Sequence, residues 1–306
     1  MLVTMILTIS VMFLSVLPSA SPLPSGSPDD WTKTFNLERT AKLHVETSDA
    51  NIHVTSCDCS TVVAKVTTVG WKIGGDGINI IDRQNGDQID IELRFPHTTF
   101  QMNWRNRRVD IELKVPRDID LDLHTGDGNV DVQSVKGTII LQSGDGNLTL
   151  SELQGTLKAN TGDGKINMRN VRGDLTLHTG DGRLDLTGID GSLRAETGDG
   201  RVKVDGRFDV LDLKTGDGGI DASANEGSKL DANWRLNTGD GDLTLQLPST
   251  IAADVELRTS DGSIDFNMPV TVSGRAGKRE VHGQINGGGK LISLKTGDGA
   301  IRLEKR

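Results

Sequence analysis

Tyrosine is absent from this 306-residue chain and aromatic side chains make up only 3% of it, whereas glycine occurs 37 times. The interior therefore has to be filled by Val, Leu, Ile, Ala and Thr, a thin aliphatic core with many tight corners. Little is left for an aromatic groove of the kind that stacks sugar rings. Basic charge is also scarce: 34 Lys and Arg against 43 Asp and Glu give a formal net charge of −9. Such a surface offers no basic field for a polyphosphate backbone and disfavours an anionic membrane surface, so nucleic acid is excluded as the expected partner. Only eight prolines occur, none between Pro116 and Pro248. Because proline inside a central strand deletes a ladder hydrogen bond, that gap marks where an uninterrupted sheet can run.

No charged residue precedes Asp29, and Leu2 to Leu17 is apolar and followed by Ser19, Ala20 and Ser21. This reads as an export signal cut after Ala20, with an uncleaved anchor as the alternative. The apolar stretch is short for a span of about 20 residues, so no membrane span is expected in the mature chain. The expected organisation is a signal over 1–20, a Ser/Pro-rich linker over 21–30, irregular β coils and a cap over 31–116, a regular repeat array over 117–247, and C-terminal coils with a cap over 248–306.

What the chain has in abundance is one phrase. Thr-Gly-Asp-Gly, or a close variant, opens at Thr125, Ser143, Thr161, Thr179, Thr197 and Thr215, each start 18 residues after the last. A strict period of that length indicates a stacked repeat architecture. In the unit from Thr179 the apolar positions Leu184, Leu186, Ile189, Leu193 and Ala195 form two short alternating runs, which means strand, corner, strand, corner. Columns repeat from unit to unit: Val130, Leu148, Ile166, Leu184, Val202 and Ile220 in one, Ile139, Leu157, Leu175, Leu193 and Leu211 in another. A third, Leu141, Ala159, Leu177, Ala195 and Leu213, alternates large with small, as interdigitation requires.

Asp-Gly between alternating runs also signals a hairpin, so an antiparallel meander is the rival geometry. The second corner favours a coil, because Val135, Leu153, Val171 and Ile189 place an apolar residue where a solvated loop would be polar. The expected fold is therefore an all-β, parallel β-solenoid with about 18 residues per coil, wound right-handed as parallel crossovers are.

The phrase has a structural reading residue by residue. Thr125 and its equivalents fall on the inward alternation, where a hydroxyl can satisfy buried corner backbone. The glycines of Gly126 and Gly128, Gly162 and Gly164, Gly180 and Gly182, and Gly198 and Gly200 supply the bend. Asp127, Asp145, Asp163, Asp181, Asp199 and Asp217 can accept backbone hydrogen bonds in turns. The competing reading is a calcium ladder, since carboxylates stacked roughly 4.8 Å apart would repel one another unless a hard cation intervened. Calcium β-roll repeats carry Asp two places after a glycine, where this chain has Ile166 or Leu184. Lys165, Arg183 and Arg201 follow the second glycine and are expected to neutralise the ladder instead, so no cofactor is expected.

Other candidates are few. Cys57 and Cys59 can form a disulfide in an exported chain, remain thiols, or join His53 in a partial metal site. Phe100, Trp104, Arg105, Arg107 and Arg108 form an aromatic and basic strip, expected to cap the core or to contact an acidic polysaccharide. The six histidines are scattered; His124 and His178 share an outward column three rungs apart, so no pair is expected to share a proton or a metal. Asp131, Asp185 and Asp221 are alike in column, with Thr149, Asn167 and Lys203 between them, which argues against the paired carboxylates of a polysaccharide-degrading enzyme.

The stretches LKVPRDIDLDLHTGDGNVDV and INGGGKLISLKTGDGAIRLEK, together with the rungs between them, resemble the bacterial putative-adhesin family, a β-strand repeat domain of unknown function. The resemblance runs from about Leu43 to Lys305. It implies an exported or cell-envelope solenoid without established catalytic residues, meeting an unidentified surface, glycan or envelope protein.

Overall fold

A ribbon with an apolar side chain at every second position can bury one side and wet the other, which is why these repeats form strands. The computed structural model describes residues 29–96, 107–272 and 277–306. Among them are twenty-five strands and no helix, joined in one continuous hydrogen-bonded sheet. The expected signal, the linker up to residue 28, and Phe100, Trp104 and Arg105 lie outside the described residues.

Successive repeats pair in parallel and in register. Lys136–Ser143 lies on Gln154–Thr161, which lies on Arg172–Thr179. Beyond the Thr-Gly-Asp-Gly corner, Val130–Gln133, Leu148–Ser151 and Ile166–Arg169 stack in the same way. The parallel register excludes the meander, and the chain winds as a solenoid with two broad faces. Ile139, Leu157, Leu175, Leu193 and Leu211 face one another down the interior, and all are buried. At the second corner Val135, Leu153, Val171 and Ile189 are buried as well. The residue before each is left-handed: Ser134, Glu152 and Asn170 at φ 60°, 56° and 54°, and Gly188 at 68°.

The stack does not follow chain order at its ends. On the first face Ala41–Thr47 sits between Gln88–Arg94 and Ile119–Thr125, parallel to both, and Asn79–Asn85 closes that edge antiparallel to Gln88–Arg94. On the second face Asn51–Cys57 lies between Arg108–Pro116 and Val130–Gln133, and Thr61–Val69 and Asp29–Asn36 continue antiparallel beyond. At the other end the last coil, Leu291–Thr296 with Ile301–Lys305, is inserted between the coil of Trp234–Asn237 and Leu243–Leu247 and that of Ala253–Thr259 and Ile264–Phe266. Glu280–Ile285 then caps Ala253–Thr259 antiparallel. Where the repeat loosens, Phe208 and Trp234 fill the widened interior edge to face, ring centroids 6.2 Å apart.

Candidate functional site

The Thr-Gly-Asp-Gly corner is held by its hydroxyl. Thr179 is fully buried; its Oγ1 donates towards the Gly162 and Gly164 carbonyl oxygens of the preceding rung at 3.1 and 3.0 Å and accepts from the Gly182 amide at 3.2 Å. Thr161, Thr197 and Thr215 reach the same carbonyls one rung back, as does Ser143. The second glycine is required by close approach, since a Cβ at Gly182 would overlap both Thr179 Oγ1 and the Gly164 carbonyl.

The corner aspartates stand outside this network. Asp127, Asp145, Asp163, Asp181, Asp199 and Asp217 are all exposed, in single file. The file is longer than the regular array, because the corners at Asp49, Asp240, Asp298 and Asp261 stack into it through backbone hydrogen bonds. Burial at the corner, and then the neighbouring Asp127 carboxylate, push the Asp49 carboxyl above its ordinary range. The expectation that Lys165, Arg183 and Arg201 neutralise this file is corrected by the structure. Lys165 and Arg183 both pair with Asp185, at 2.8 and 2.9 Å, and Arg201 Nε donates to Asp221 at 3.0 Å. Side chains alternate along a strand, so a base directly after the corner shares a side with the residue two places on, not with the corner. Burial works against the ionised Asp185, but hydrogen bonds from Lys165 and Arg183 outweigh it and hold the carboxyl below its usual range. Asp131, Asp185 and Asp221 therefore do not converge; Asp131 faces His53 in register.

Outside the first face two largely polar columns run the length of the stack. One passes from Glu46 and His124 through Gln142, Asn160, His178, Glu196, Lys214, Asn237 and Lys295 to Arg258. The other passes from His44 and Asp122 through Ile140, Lys158, Thr176, Arg194, Asp212, Arg235 and Ser293 to Glu256, polar at every rung but Ile140. Ion pairs join neighbours, Lys214 to Glu196 at 2.7 Å and Lys295 to Glu256 at 3.2 Å. The hydrogen bond from Lys214 holds the exposed Glu196 carboxyl below its ordinary range.

At the amino-terminal end of this face the structure brings together what the sequence reading kept apart. His44 stands opposite Asp122, and Glu46 opposite His124. His44 Nδ1 lies 3.2 Å from Asp122 Oδ2, and His124 Nε2 lies 2.7 Å from Asp122 Oδ1. The histidines are thus not all scattered, as the sequence reading had them: Ala41–Thr47 pairs directly with Ile119–Thr125, which brings His44 and His124 onto one carboxylate in a geometry that could share a proton or a metal. Burial raises the Asp122 carboxyl, but hydrogen bonds and charge from His124 and His44 bring it below its ordinary range. A groove lined by Glu46, Glu92, Arg94, Phe95, His124 and Gln142 opens beside the cluster.

Of the remaining candidates, Cys57 and Cys59 are joined by a disulfide. Arg107 lies over the Trp71 ring at 4.1 Å, and Arg108 pairs with Asp110 at 2.7 Å. Among the described residues no helix is long and apolar enough to cross a membrane.

The family model Toastrack DUF4097 matches residues 40–304. The chain belongs to this family. Toastrack DUF4097 is the bacterial putative-adhesin family of unknown function to which the repeat motifs pointed. Solved structures similar to this Toastrack chain include a putative cell adhesion protein from Clostridium sporogenes, 13% identical over 91% of this chain and 100% of that one, TM-score 0.30. A putative adhesin from Bacteroides fragilis is 11% identical over 91% of this chain and 97% of that one, TM-score 0.32. A putative lipid binding protein from Parabacteroides distasonis is 13% identical over 90% of this chain and 96% of that one, TM-score 0.36. No curated protein matches the chain.

Proposed function

We propose that this Toastrack protein is a noncatalytic, exported scaffold that presents the outer side of its first face to a surface, glycan or envelope protein of the bacterial cell envelope. The observation that carries this is the pair of columns running over ten rungs from Ala41–Thr47 to Ala253–Thr259, one polar throughout and the other interrupted only at Ile140. At roughly 4.8 Å per rung such a face is about 40 Å long, and it offers ionic and hydrogen-bonding groups at a regular spacing that a repetitive partner can match. The Cys57–Cys59 disulfide supports an oxidising destination. In this reading 1–20 is the export signal, 21–30 a linker, 31–116 and 248–306 the end structures, and 117–247 the array, wound right-handed at 18 residues per coil. The register of Ile139 on Leu157 on Leu175 supports that coil length, and the general handedness of parallel crossovers supports the winding.

The test is binding of the mature chain to a glycan array and to isolated envelope fractions, beside a Lys158→Ala, Arg194→Ala, Lys214→Ala variant. Saturable binding that the variant loses, with its circular dichroism unchanged, supports the reading. No binding to either probe, or binding indifferent to the variant, overturns it, as would depolymerisation of an acidic polysaccharide by the purified chain.

A further inference from the structure

We infer that His44, Asp122 and His124 form a binding site for a divalent transition-metal ion of the zinc class, with Glu46 at its rim. Among the described residues this is the one group of three or more His, Cys, Asp or Glu whose ligand atoms all lie within 4.8 Å of one another. Two imidazoles and a carboxylate are the borderline nitrogen and oxygen donors that zinc, copper and nickel select over calcium or magnesium. Donors about 2.0–2.1 Å from a tetrahedral ion are roughly 3.3 Å from each other. The separations of 3.2 Å from His44 to Asp122 and 2.7 Å from His124 to Asp122 are within a small side-chain adjustment of that figure. An ion can replace the two hydrogen bonds without moving the strands.

The donors sit on two paired parallel strands, so their Cα positions are fixed by the ladder. Their side chains are 29%, 22% and 31% exposed, buried enough to be positioned and open enough for an ion to enter. The His44 and His124 rings lie 5.4 Å apart, tilted at 59°. Both therefore reach the one carboxylate between them. Glu46 Oε2 lies 3.9 Å from His44 Nε2. On the far side Asp90 and Glu92 stand opposite His44 and Glu46 and Arg83 stands opposite Asp90, so carboxylates outnumber bases around the cluster. Arg94 answers Glu92 through two hydrogen bonds, at 2.5 and 3.1 Å. In the same columns further along the stack the corresponding positions hold Ile140 and Gln142, then Lys158 and Asn160, so this donor set belongs to one end of the face and not to the repeat. The inference stands independently of any ligand for the face.

The test is titration of the full mature chain, freed of metal with chelator and then dialysed, with zinc chloride in a calorimeter, and separately the thermal midpoint with and without excess zinc. One equivalent per chain and a rise in midpoint are expected, because an ion bound only by the folded state stabilises it. His44→Ala and His124→Ala should each weaken binding by at least the roughly 100-fold that loss of even an outer supporting partner can reach. His178→Ala, in the same column three rungs away, should bind as the natural chain does. Failure of the natural chain to take up one equivalent, or equal uptake by the His44→Ala, His124→Ala double variant, overturns the inference. Cobalt absorption of the loaded chain, absent in a folded Asp122→Asn variant, reports ligation separately from stability.

Discussion

Replacing Thr179 by Val removes one hydroxyl from the middle of the stack and changes little else in volume. The oxygen holds three groups: it donates towards the Gly162 and Gly164 carbonyls and accepts from the Gly182 amide. Gly162 keeps a second partner in the Gly180 amide. The Gly164 carbonyl and the Gly182 amide are left without theirs, both on buried residues. Each buried group so stranded costs about 1–3 kcal/mol, so Thr179→Val should destabilise by about 3 kcal/mol. Thr179→Ser keeps the oxygen and loses a methyl, about 1 kcal/mol. Ser143 shows that the shorter side chain makes the same bonds, at 3.3 and 3.1 Å to Gly126 and Gly128 and 3.0 Å from Gly146. The column contains its own reversal: Thr47 Oγ1 is buried with no hydrogen-bond partner. Thr47→Val should therefore be neutral or stabilising. Urea unfolding followed by circular dichroism measures all three, with midpoints compared at unchanged slope. If Thr179→Val is as stable as Thr179→Ser, or Thr47→Val costs as much as Thr179→Val, the hydroxyl ladder does not hold the corners.

Glu152 occupies a left-handed position at φ 56°, where Asn170 stands one rung on. Glu152→Asn should gain about 0.5–1 kcal/mol, since a short polar side chain tolerates that conformation better; an unchanged urea midpoint would contradict this. Because the Asp49 carboxyl is raised, the folded state binds its proton more tightly than the unfolded one. Its stabilising contribution is thus greatest at low pH and is lost as pH rises through the ordinary carboxylate range to the folded value. Asp49→Asn should raise the midpoint at pH 7 and lose that advantage below about pH 4; a gain that persists at pH 3 would refute the charge argument. Deleting residues 287–306 removes a coil from inside the stack and bares the ladders on both sides of it. The truncated chain should aggregate or elute as an expanded species on gel filtration, and a monodisperse product with native circular dichroism would show that the inserted coil is dispensable.

The array was legible because a period fixes neighbours: once Ile139, Leu157 and Leu175 fall in one column, their packing follows. The ends were not, since there the sheet abandons chain order. Nothing in the run from Leu291 to Lys305 says that it slots between two earlier coils instead of following them. The histidine cluster was missed for the same reason. Its signal lay in aligning Leu43-His44-Val45-Glu46-Thr47 with Leu121-Asp122-Leu123-His124-Thr125, two strands that enter equivalent corners. Stacking them puts His44 on Asp122 and Glu46 on His124. The ion pairs of Lys165, Arg183 and Arg201 were equally readable from alternation, because Asp185 shares a side with Arg183 two residues earlier and with Lys165 one rung back.

The displaced end coils bear on where this protein can make contacts. A parallel stack ends in rows of unpaired amides and carbonyls that invite another copy to add on. Here three of the four end ladders are met by antiparallel strands: Asn79–Asn85 on one face and Thr61–Val69 with Asp29–Asn36 on the other at the first end, and Glu280–Ile285 on the first face at the far end, where only the short Ile264–Phe266 is left as an edge. Lys33 on the outermost strand of the second face pairs with Asp82 on the outermost strand of the first, which ties the two edges across the end of the core. Charge on an edge strand and an antiparallel cover both oppose continued stacking. With growth along the axis opposed at three of the four end ladders, the surface that repeats from rung to rung and stays open is the lateral one. There the sequence sets no interior constraint, and it is there that His44, Asp122 and His124, together with the polar columns leading away from them, present chemistry that the core does not need.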